Sequence, residues 1–178
     1  LAIKGGRPVL KKTLPNVYNI GKKEISAVTK LLKTGPLSDF VGAKGDYFLG
    51  GKNVKKLESL FCNKFKVKNA VSFNSATTAL HGAVAALGIG PGDEVIVTPY
   101  SMSASATCVL MNGAIPVFAD INDKTFCLDP KSIKEKITPR TKAILVANIF
   151  GGPADLDEIL KIAKENNLKV IEDNAQAP

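Results

Sequence analysis

From residue 52 onward, short apolar runs alternate with segments in which apolar residues recur every three or four positions. The runs have the length and composition of strands, and the other segments have the period of amphipathic helices. Strands are therefore predicted at 69–73, 94–97, 115–119, 142–149 and 168–172. Helices are predicted at 52–66, 76–87 and 103–111, and two more are predicted to begin near 129 and after the turn at 151–153.

The alternation of predicted strands and helices indicates how the sheet is built. Repeated β-α-β units produce parallel strands with helices on both faces, so the pattern predicts a three-layer αβα fold of the α/β class with a mainly parallel sheet. The run 142–149 is almost continuously apolar, as expected of a strand that is covered on both faces. Pro116 has no amide hydrogen to donate, so its strand is predicted to start there or to lie near an edge of the sheet.

Residues 1–51 lack this alternation and are predicted to form an amino-terminal arm with one helix and a loop. The helix is expected to end at Gly35-Pro36, and a glycine-rich loop follows. Its apolar residues fall on one face: Ile25, Val28, Leu31 and Leu32. The predicted division is therefore 1–51 for the arm and 52–178 for the α/β part.

Composition narrows the class of protein. Hydrophobic residues make up 45% and charged residues 22% of the chain, which is ordinary for a globular protein, and no apolar run reaches the roughly 18 residues of a membrane span. The three cysteines are odd in number and widely spaced, which indicates reduced thiols in a cytoplasmic protein. The net charge of +8 has no basic block, so a solvated surface or an attraction for phosphorylated small molecules explains it better than nucleic-acid binding.

The first candidate site lies where the predicted strand 69–73 runs into a helix. Helix starts present free N–H groups and the positive end of the helix dipole, so an anion fits there. Ser75, Ala76 and Thr77 are small enough for a phosphate to approach the backbone, and the hydroxyl groups add donors. The alternative interpretation is an ordinary Ser or Thr N-cap without a ligand.

The second candidate site lies at the end of the last predicted strand, where Glu172 and Asp173 are followed by Asn174-Ala175-Gln176. In open α/β sheets, binding sites form at the carboxyl ends of strands. Neighbouring strand residues point to opposite faces, so Glu172 and Asp173 cannot both face one pocket.

Seven segments, taken in order, carry a resemblance to a known family. They are NSATTAL at 74–80, GPGDEVIV at 90–97, TPYS at 98–101, GAIPVFAD at 113–120, PRTKAI at 139–144, FGGPADLD at 150–157 and IEDNAQA at 171–177. Together they resemble the DegT/DnrJ/EryC1/StrS aminotransferases, which use pyridoxal 5'-phosphate (PLP) and have the fold of aspartate aminotransferase. The resemblance covers nearly the whole chain and implies that residues 52–178 are the first part of the PLP-binding large domain.

The resemblance implies roles for six cofactor-binding residues. Ser75, Ala76 and Thr77 would lie at the phosphate of PLP, with backbone N–H groups and the Thr77 hydroxyl as donors.

On the other side of the cofactor, Asp173 would face the pyridine nitrogen and keep it protonated. Gln176 would touch the ring or its 3-oxygen. Met102 stands where the family usually has an aromatic residue that stacks on the ring; a thioether can pack there, and the alternative is that Met102 fills the core.

The resemblance also implies what the chain does not contain. The family's catalytic lysine follows the Asp-x-Ala-Gln motif by a few tens of residues, so no catalytic residue is assigned here, and the chain alone is expected to be inactive. The sheet order implied by the family is 3-2-4-5-6-7-1, and the strands predicted here are the first five. His81, the only histidine, is expected to be structural, and no metal site is predicted.

The implied reaction of the parent protein moves an amino group from glutamate or glutamine to a keto group on a nucleotide-linked sugar or cyclitol. The implied partners are these small molecules and a second copy of the chain in a homodimer, with neither nucleic acid nor membrane. Two alternatives remain open. One is a PLP-dependent sugar dehydratase of the same family, in which histidine replaces the lysine, and the other is a non-catalytic binding or regulatory module.

Overall fold

A computed structural model describes residues 4–7, 12, 19–35, 37 and 39–177. Backbone contacts divide the chain into two units, Leu1–Ala70 and Val71–Pro178. The predicted division after residue 51 stays a prediction. Among the described residues, every helix is too short or too polar to cross a bilayer.

The first unit contains two amphipathic helices, α1 (Lys22–Thr34) and α2 (Lys52–Phe65). The amide of Gly21 donates a hydrogen bond of 2.7 Å to the carboxylate of Glu24, which satisfies a donor at the start of α1. Gly35 ends α1 as predicted; Pro36 and the remaining residues of the predicted arm (1–3, 8–11, 13–18 and 38) lie outside the described residues.

The second unit alternates helices and strands along the chain. The elements are α3 (Ala76–Ala86), β1 (Glu94–Val97), α4 (Ala104–Leu110), β2 (Ile115–Phe118), α5 (Pro130–Lys136), β3 (Thr141–Ala147), α6 (Leu156–Glu165) and β4 (Lys169–Asp173), with a 3₁₀ turn at Ile149–Gly151. Asp129 caps α5 by accepting a hydrogen bond from the Lys131 amide (3.0 Å), and Pro130 occupies the first turn as predicted.

Within residues 71–177 the strands form one parallel sheet in the order β2-β1-β3-β4. This is the order that the family resemblance implies for its second to fifth strands. Pro116 lies in β2 at an edge, so the prediction for this proline is confirmed.

Two apolar cores lie on opposite faces of the sheet, which confirms the three-layer αβα prediction. The side chains of Val95, Val97 and Leu145 pack under α3 and α4. Those of Ile144 and Val146 pack under α5 and α6. Because strand residues alternate between faces, β3 contributes to both cores and is buried nearly throughout.

The prediction of a strand at 69–73 is wrong: the structure assigns no strand to these residues. A strand needs a neighbour with which to exchange backbone hydrogen bonds. In the sheet of residues 71–177, β2 and β4 hold the two edges and neither pairs with this segment. Val71 is accordingly 73% exposed. The segment is apolar, as expected of a strand, but the strand with which it would pair is not in the sheet of residues 71–177.

Candidate cofactor site

Asp173 is the last residue of β4 and is only 8% exposed. Its Oδ2 accepts a hydrogen bond of 3.0 Å from the hydroxyl of Ser105 on α4, and its Oδ1 accepts one of 3.2 Å from the amide of Ala175. The preceding residue, Glu172, is exposed, and its carboxylate accepts a hydrogen bond from the side-chain Nδ2 of Asn148 (2.7 Å). The two carboxylates therefore have separate environments, as strand alternation predicted.

The hydroxyl groups of Ser101 and Ser105 extend the network around this carboxylate. Their oxygens lie 3.0 Å apart, so hydrogen bonds connect the side chain of Ser101 to that of Ser105 and the side chain of Ser105 to that of Asp173. Burial raises the pKa of the nearby Cys108 thiol to about 11, and the negative charge of Asp173 adds to the effect. Cys108 is therefore a neutral thiol at neutral pH and has no nucleophilic role here.

A small cavity opens directly onto Asp173. Its volume is about 30 Å³. Its walls come from the loop before α4, the end of β3 and the segment after β4, namely Ser101, Met102, Ala147, Asn148, Ile149, Asp173, Ala175 and Gln176. Three of the six residues predicted from the sequence, Met102, Asp173 and Gln176, thus line one cavity.

A second, larger cavity of about 340 Å³ continues from the first. The two share Ser101, Met102, Ile149 and Gln176, and the larger one adds Pro99, Tyr100 and Phe150. The side chain of Met102 is 70% exposed at their junction. Met102 is therefore outside the two apolar cores of this chain, and its contact with the cofactor ring stays a prediction.

Gln176 already has one fixed contact in this cavity. Its Oε1 accepts a hydrogen bond of 2.6 Å from the amide of Phe150. The bond uses the acceptor of the side-chain amide, and its two N–H donors remain available to a ligand.

The other three predicted residues lie at the start of α3. Ser75 is the N-cap: its hydroxyl accepts a hydrogen bond of 3.2 Å from the Thr78 amide, so the ordinary capping interpretation holds for its side chain. The first intrahelical bond runs from Ala79 to Ser75. The amides of Ala76 and Thr77, both exposed residues, thus precede the helical ladder and point out of the helix start.

The direction of α3 places this helix start at the same end of the sheet as Asp173. The turn after α3, residues 87–89, lies beside Asp93 and Lys169 at the amino ends of β1 and β4. The 11 residues of α3 rise about 16 Å, and the five residues of β4 span about the same distance. The helix therefore begins level with the carboxyl end of β4, although Ser75, Ala76 and Thr77 do not line the cavity around Asp173.

The residues present fit PLP in their donor chemistry. A helix start with free amides suits a phosphate, and a buried carboxylate with a fixed orientation suits a protonated pyridine nitrogen. His81 lies within α3, where its backbone carbonyl accepts a hydrogen bond from the side-chain amide of Asn112 (3.3 Å); the structural role of its imidazole stays a prediction. In the described part of the chain, no cluster of three or more metal-ligating side chains occurs.

The sequence did not point to Ser101, Ser105 or Phe150 as part of the site. Ser105 lies 68 residues before Asp173, and only the packing of α4 on the sheet brings them together. Ser101 and Ser105 are four residues apart, a spacing that puts both on the same face of a helix. This spacing is the signal that could have identified them.

Comparison with known proteins identifies the group to which the sequence belongs. The sequence model of the DegT/DnrJ/EryC1/StrS aminotransferase family matches residues 19–178. The chain belongs to this family. The resemblance drawn from the seven sequence segments is therefore confirmed.

Curated relatives in the family include proteins of polysaccharide and sugar biosynthesis. The chain is 42% identical over 158 residues to the spore coat polysaccharide biosynthesis protein SpsC of Bacillus subtilis, covering 89% of this chain and 38% of the relative. It is 46% identical over 127 residues to the GDP-perosamine synthase of Caulobacter vibrioides, covering 71% of this chain and 34% of that one. The chain thus spans little more than a third of the length of these relatives.

Solved structures confirm the fold. NtdA from Bacillus subtilis, crystallised with bound PMP, matches with a TM-score of 0.79 and 32% identity over 94% of this chain and 38% of its own. GDP-4-keto-6-deoxymannose-3-dehydratase, crystallised with a trapped PLP-glutamate geminal diamine, matches with a TM-score of 0.67 and 36% identity over 71% and 34%, respectively.

Proposed function

We propose that the protein to which this chain belongs is a PLP-dependent aminotransferase that moves an amino group from glutamate or glutamine to a keto group of a nucleotide-linked sugar or cyclitol. The observation that carries the proposal is Asp173, a buried carboxylate at the end of β4 that lines one cavity with Met102 and Gln176. Family membership and the sugar-biosynthetic relatives support the substrate class.

The amides of Ala76 and Thr77, with the Thr77 hydroxyl, would hold the phosphate of the cofactor at the start of α3. Asp173 would accept a hydrogen bond from the pyridine nitrogen and hold its proton. When bound, PLP supplies an acceptor for the electrons released at the substrate carbon.

The supporting groups fix these contacts in place. Ser105 and Ser101 keep the Asp173 carboxylate in one orientation through their hydrogen bonds. Met102 would pack against one face of the ring, and the amide N–H groups of Gln176 would donate to the 3-oxygen. Ser75 contributes by capping α3, which orients the free amides.

The test is an assay of amino-group transfer, using protein expressed from the complete gene because the relatives are more than twice as long as this chain. We expect PLP-dependent conversion of a nucleotide-linked keto sugar to an amino sugar with glutamate or glutamine as donor. Absence of turnover with a panel of nucleotide-linked keto sugars, in protein that has bound PLP, would refute the proposal.

A second candidate function is a PLP-dependent sugar dehydratase, which is favoured by the 36% identity to GDP-4-keto-6-deoxymannose-3-dehydratase. The same assay separates the two, because the dehydratase product loses a hydroxyl group and gains no nitrogen. A homodimer and a cytoplasmic location are further parts of the proposal, and sedimentation and cell fractionation test them.

A further inference from the structure

Three exposed aromatic side chains cluster beside the candidate cofactor site. The ring centroids of Tyr100 and Phe126 are 5.8 Å apart, and those of Tyr100 and Phe150 are 6.1 Å apart with the rings near perpendicular. The chain has only eight Phe, three Tyr and no Trp, so three of its few aromatic residues stand together on the surface. Clustered exposed apolar side chains of this kind mark a binding surface.

Two of the three aromatic residues have an unfavourable backbone conformation. Phe126 has φ of 61° and Phe150 has φ of 55°, in the left-handed region that bulky residues rarely adopt. Backbone outliers that the surrounding structure maintains occur preferentially at ligand sites. The backbone conformation of Phe150 is stabilised by a hydrogen bond from its amide to Oε1 of Gln176. That of Phe126 is stabilised by a hydrogen bond of 2.8 Å from its amide to the carbonyl of Asn122.

The cluster also has a defined place relative to the proposed chemistry. Tyr100 and Phe150 line the 340 Å³ cavity, which shares Met102 and Gln176 with the cavity around Asp173. A sugar that reacts at a keto carbon must bring that carbon to the cofactor. In PLP the reacting C4′ carbon is next to the 3-oxygen, which Gln176 would contact, and opposite the ring nitrogen, which Asp173 would contact. The sugar ring therefore has to lie beside Gln176, in the cavity that Tyr100 and Phe150 also line.

We propose that Tyr100, Phe126 and Phe150 form an aromatic wall that packs against the C–H face of the acceptor's sugar ring, and that Gln176 is the positioning residue for Phe150. The proposal rests on the proposed aminotransferase function. The electron-rich face of an aromatic ring attracts the polarised C–H groups of one side of a sugar ring, while its edges leave the sugar hydroxyls to polar partners.

The experiment measures the two half-reactions separately in protein expressed from the complete gene, with glutamate for the donor half and a nucleotide-linked keto sugar for the acceptor half. Phe150→Leu keeps an apolar side chain and removes the flat ring. We expect its acceptor KM to rise roughly 3- to 10-fold, well beyond any change in the donor half-reaction. Phe118→Leu is the matched control, since Phe118 is an exposed Phe outside both cavities and should leave both halves unchanged.

The role of Gln176 is tested by non-additivity. Gln176→Met removes the acceptor for the Phe150 amide, so we expect it to raise the acceptor KM in the parent protein. Because Gln176 would also contact the cofactor, its effect is taken as the change in acceptor KM relative to the change in donor KM. This ratio should rise in the parent protein and change little in the Phe150→Leu background. Equal effects in both backgrounds would contradict the positioning role.

The remaining outcomes distinguish failure of the aromatic wall from failure of the proposed aminotransferase function. If wild-type protein performs both half-reactions and Phe150→Leu matches Phe118→Leu, the wall is refuted while the aminotransferase proposal stands. If Phe150→Leu changes sedimentation but not acceptor KM, the cluster is a subunit contact and the wall is again refuted. If wild-type protein performs neither half-reaction, the function fails and the wall fails with it. Thermal unfolding checks that the variant folds, and Tyr100→Leu is the second variant if it does not.

Discussion

Replacement of Ser105 by alanine tests whether the hydrogen-bonded carboxylate at the end of β4 is built as described. Ser105 is 1% exposed, and its hydroxyl donates to Asp173 Oδ2 at 3.0 Å. The substitution removes that donor and little volume, so the change in unfolding free energy reports chiefly on the hydrogen bond.

The size of the effect follows from the surroundings of the carboxylate. Hydrogen bonds to charged groups stabilise proteins by about 1.5–3 kcal/mol. Asp173 retains its hydrogen bond from the Ala175 amide and borders a cavity that water can enter, so we expect the lower part of this range, about 1.5–2 kcal/mol.

Urea unfolding of the protein from the complete gene, followed by far-ultraviolet circular dichroism, measures the change. Ser103→Ala is the matched control: Ser103 lies at the start of the same helix, is exposed and makes no side-chain capping bond. We expect the control to shift unfolding by less than about 0.5 kcal/mol. If Ser105→Ala and Ser103→Ala unfold alike, the Ser105–Asp173 bond does not stabilise the protein and the orientation argued for Asp173 loses its support.

Three further predictions follow from the site and the sheet. Asp173→Asn should lower kcat of the protein from the complete gene by at least about 100-fold, far more than a loss of stability like that of Ser105→Ala would explain; near wild-type kcat would remove Asp173 from the mechanism. Cys108, with its pKa raised to about 11, should have about one thiol in a thousand ionised at pH 8 and should react with an alkylating reagent far more slowly than the half-buried Cys62; comparable rates, read by mass spectrometry, would contradict this burial. Hydrogen bonds from Thr138 and then Arg140 hold the pKa of the Glu94 carboxyl below its ordinary 4.5, so the stability it provides is present above that pH and is lost as the pH falls through the folded-state pKa. Thermal unfolding between pH 3 and 6 should therefore depend less on pH in Glu94→Gln, and an unchanged dependence would refute the linkage.

Local patterns predicted the elements whose partners are also local or whose burial is complete. Strand β3 is apolar on both faces and was predicted within two residues of its bounds, and Pro116 marked its strand as an edge because a missing amide has the same consequence in any sheet. The segment 69–73 has an equally apolar pattern, yet it forms no strand, because pairing depends on a neighbour that its own residues do not specify.

The same difference between local patterns and long-range contacts explains which residues of the site could be predicted. The strand-end position made Glu172 and Asp173 candidates, and strand alternation allowed only one of them to face a given pocket. The family resemblance then implied that this residue is Asp173. Its partner Ser105 was not predicted, because their contact depends on how α4 packs across the sheet. The spacing of residues along the sequence does not determine that packing. Phe150 was missed because its exposed ring and left-handed backbone are properties of a turn, which hydrophobic periodicity does not describe.

The proposed function requires one arrangement: the start of α3 binds the phosphate of PLP while Asp173 faces its ring nitrogen. A crystal structure of the protein from the complete gene with PLP bound tests it directly. We predict that the amides of Ala76 and Thr77 lie about 3 Å from phosphate oxygens and that an Asp173 oxygen lies about 3 Å from the pyridine nitrogen. A phosphate bound away from α3, or a ring nitrogen that faces another group, would contradict the central claim.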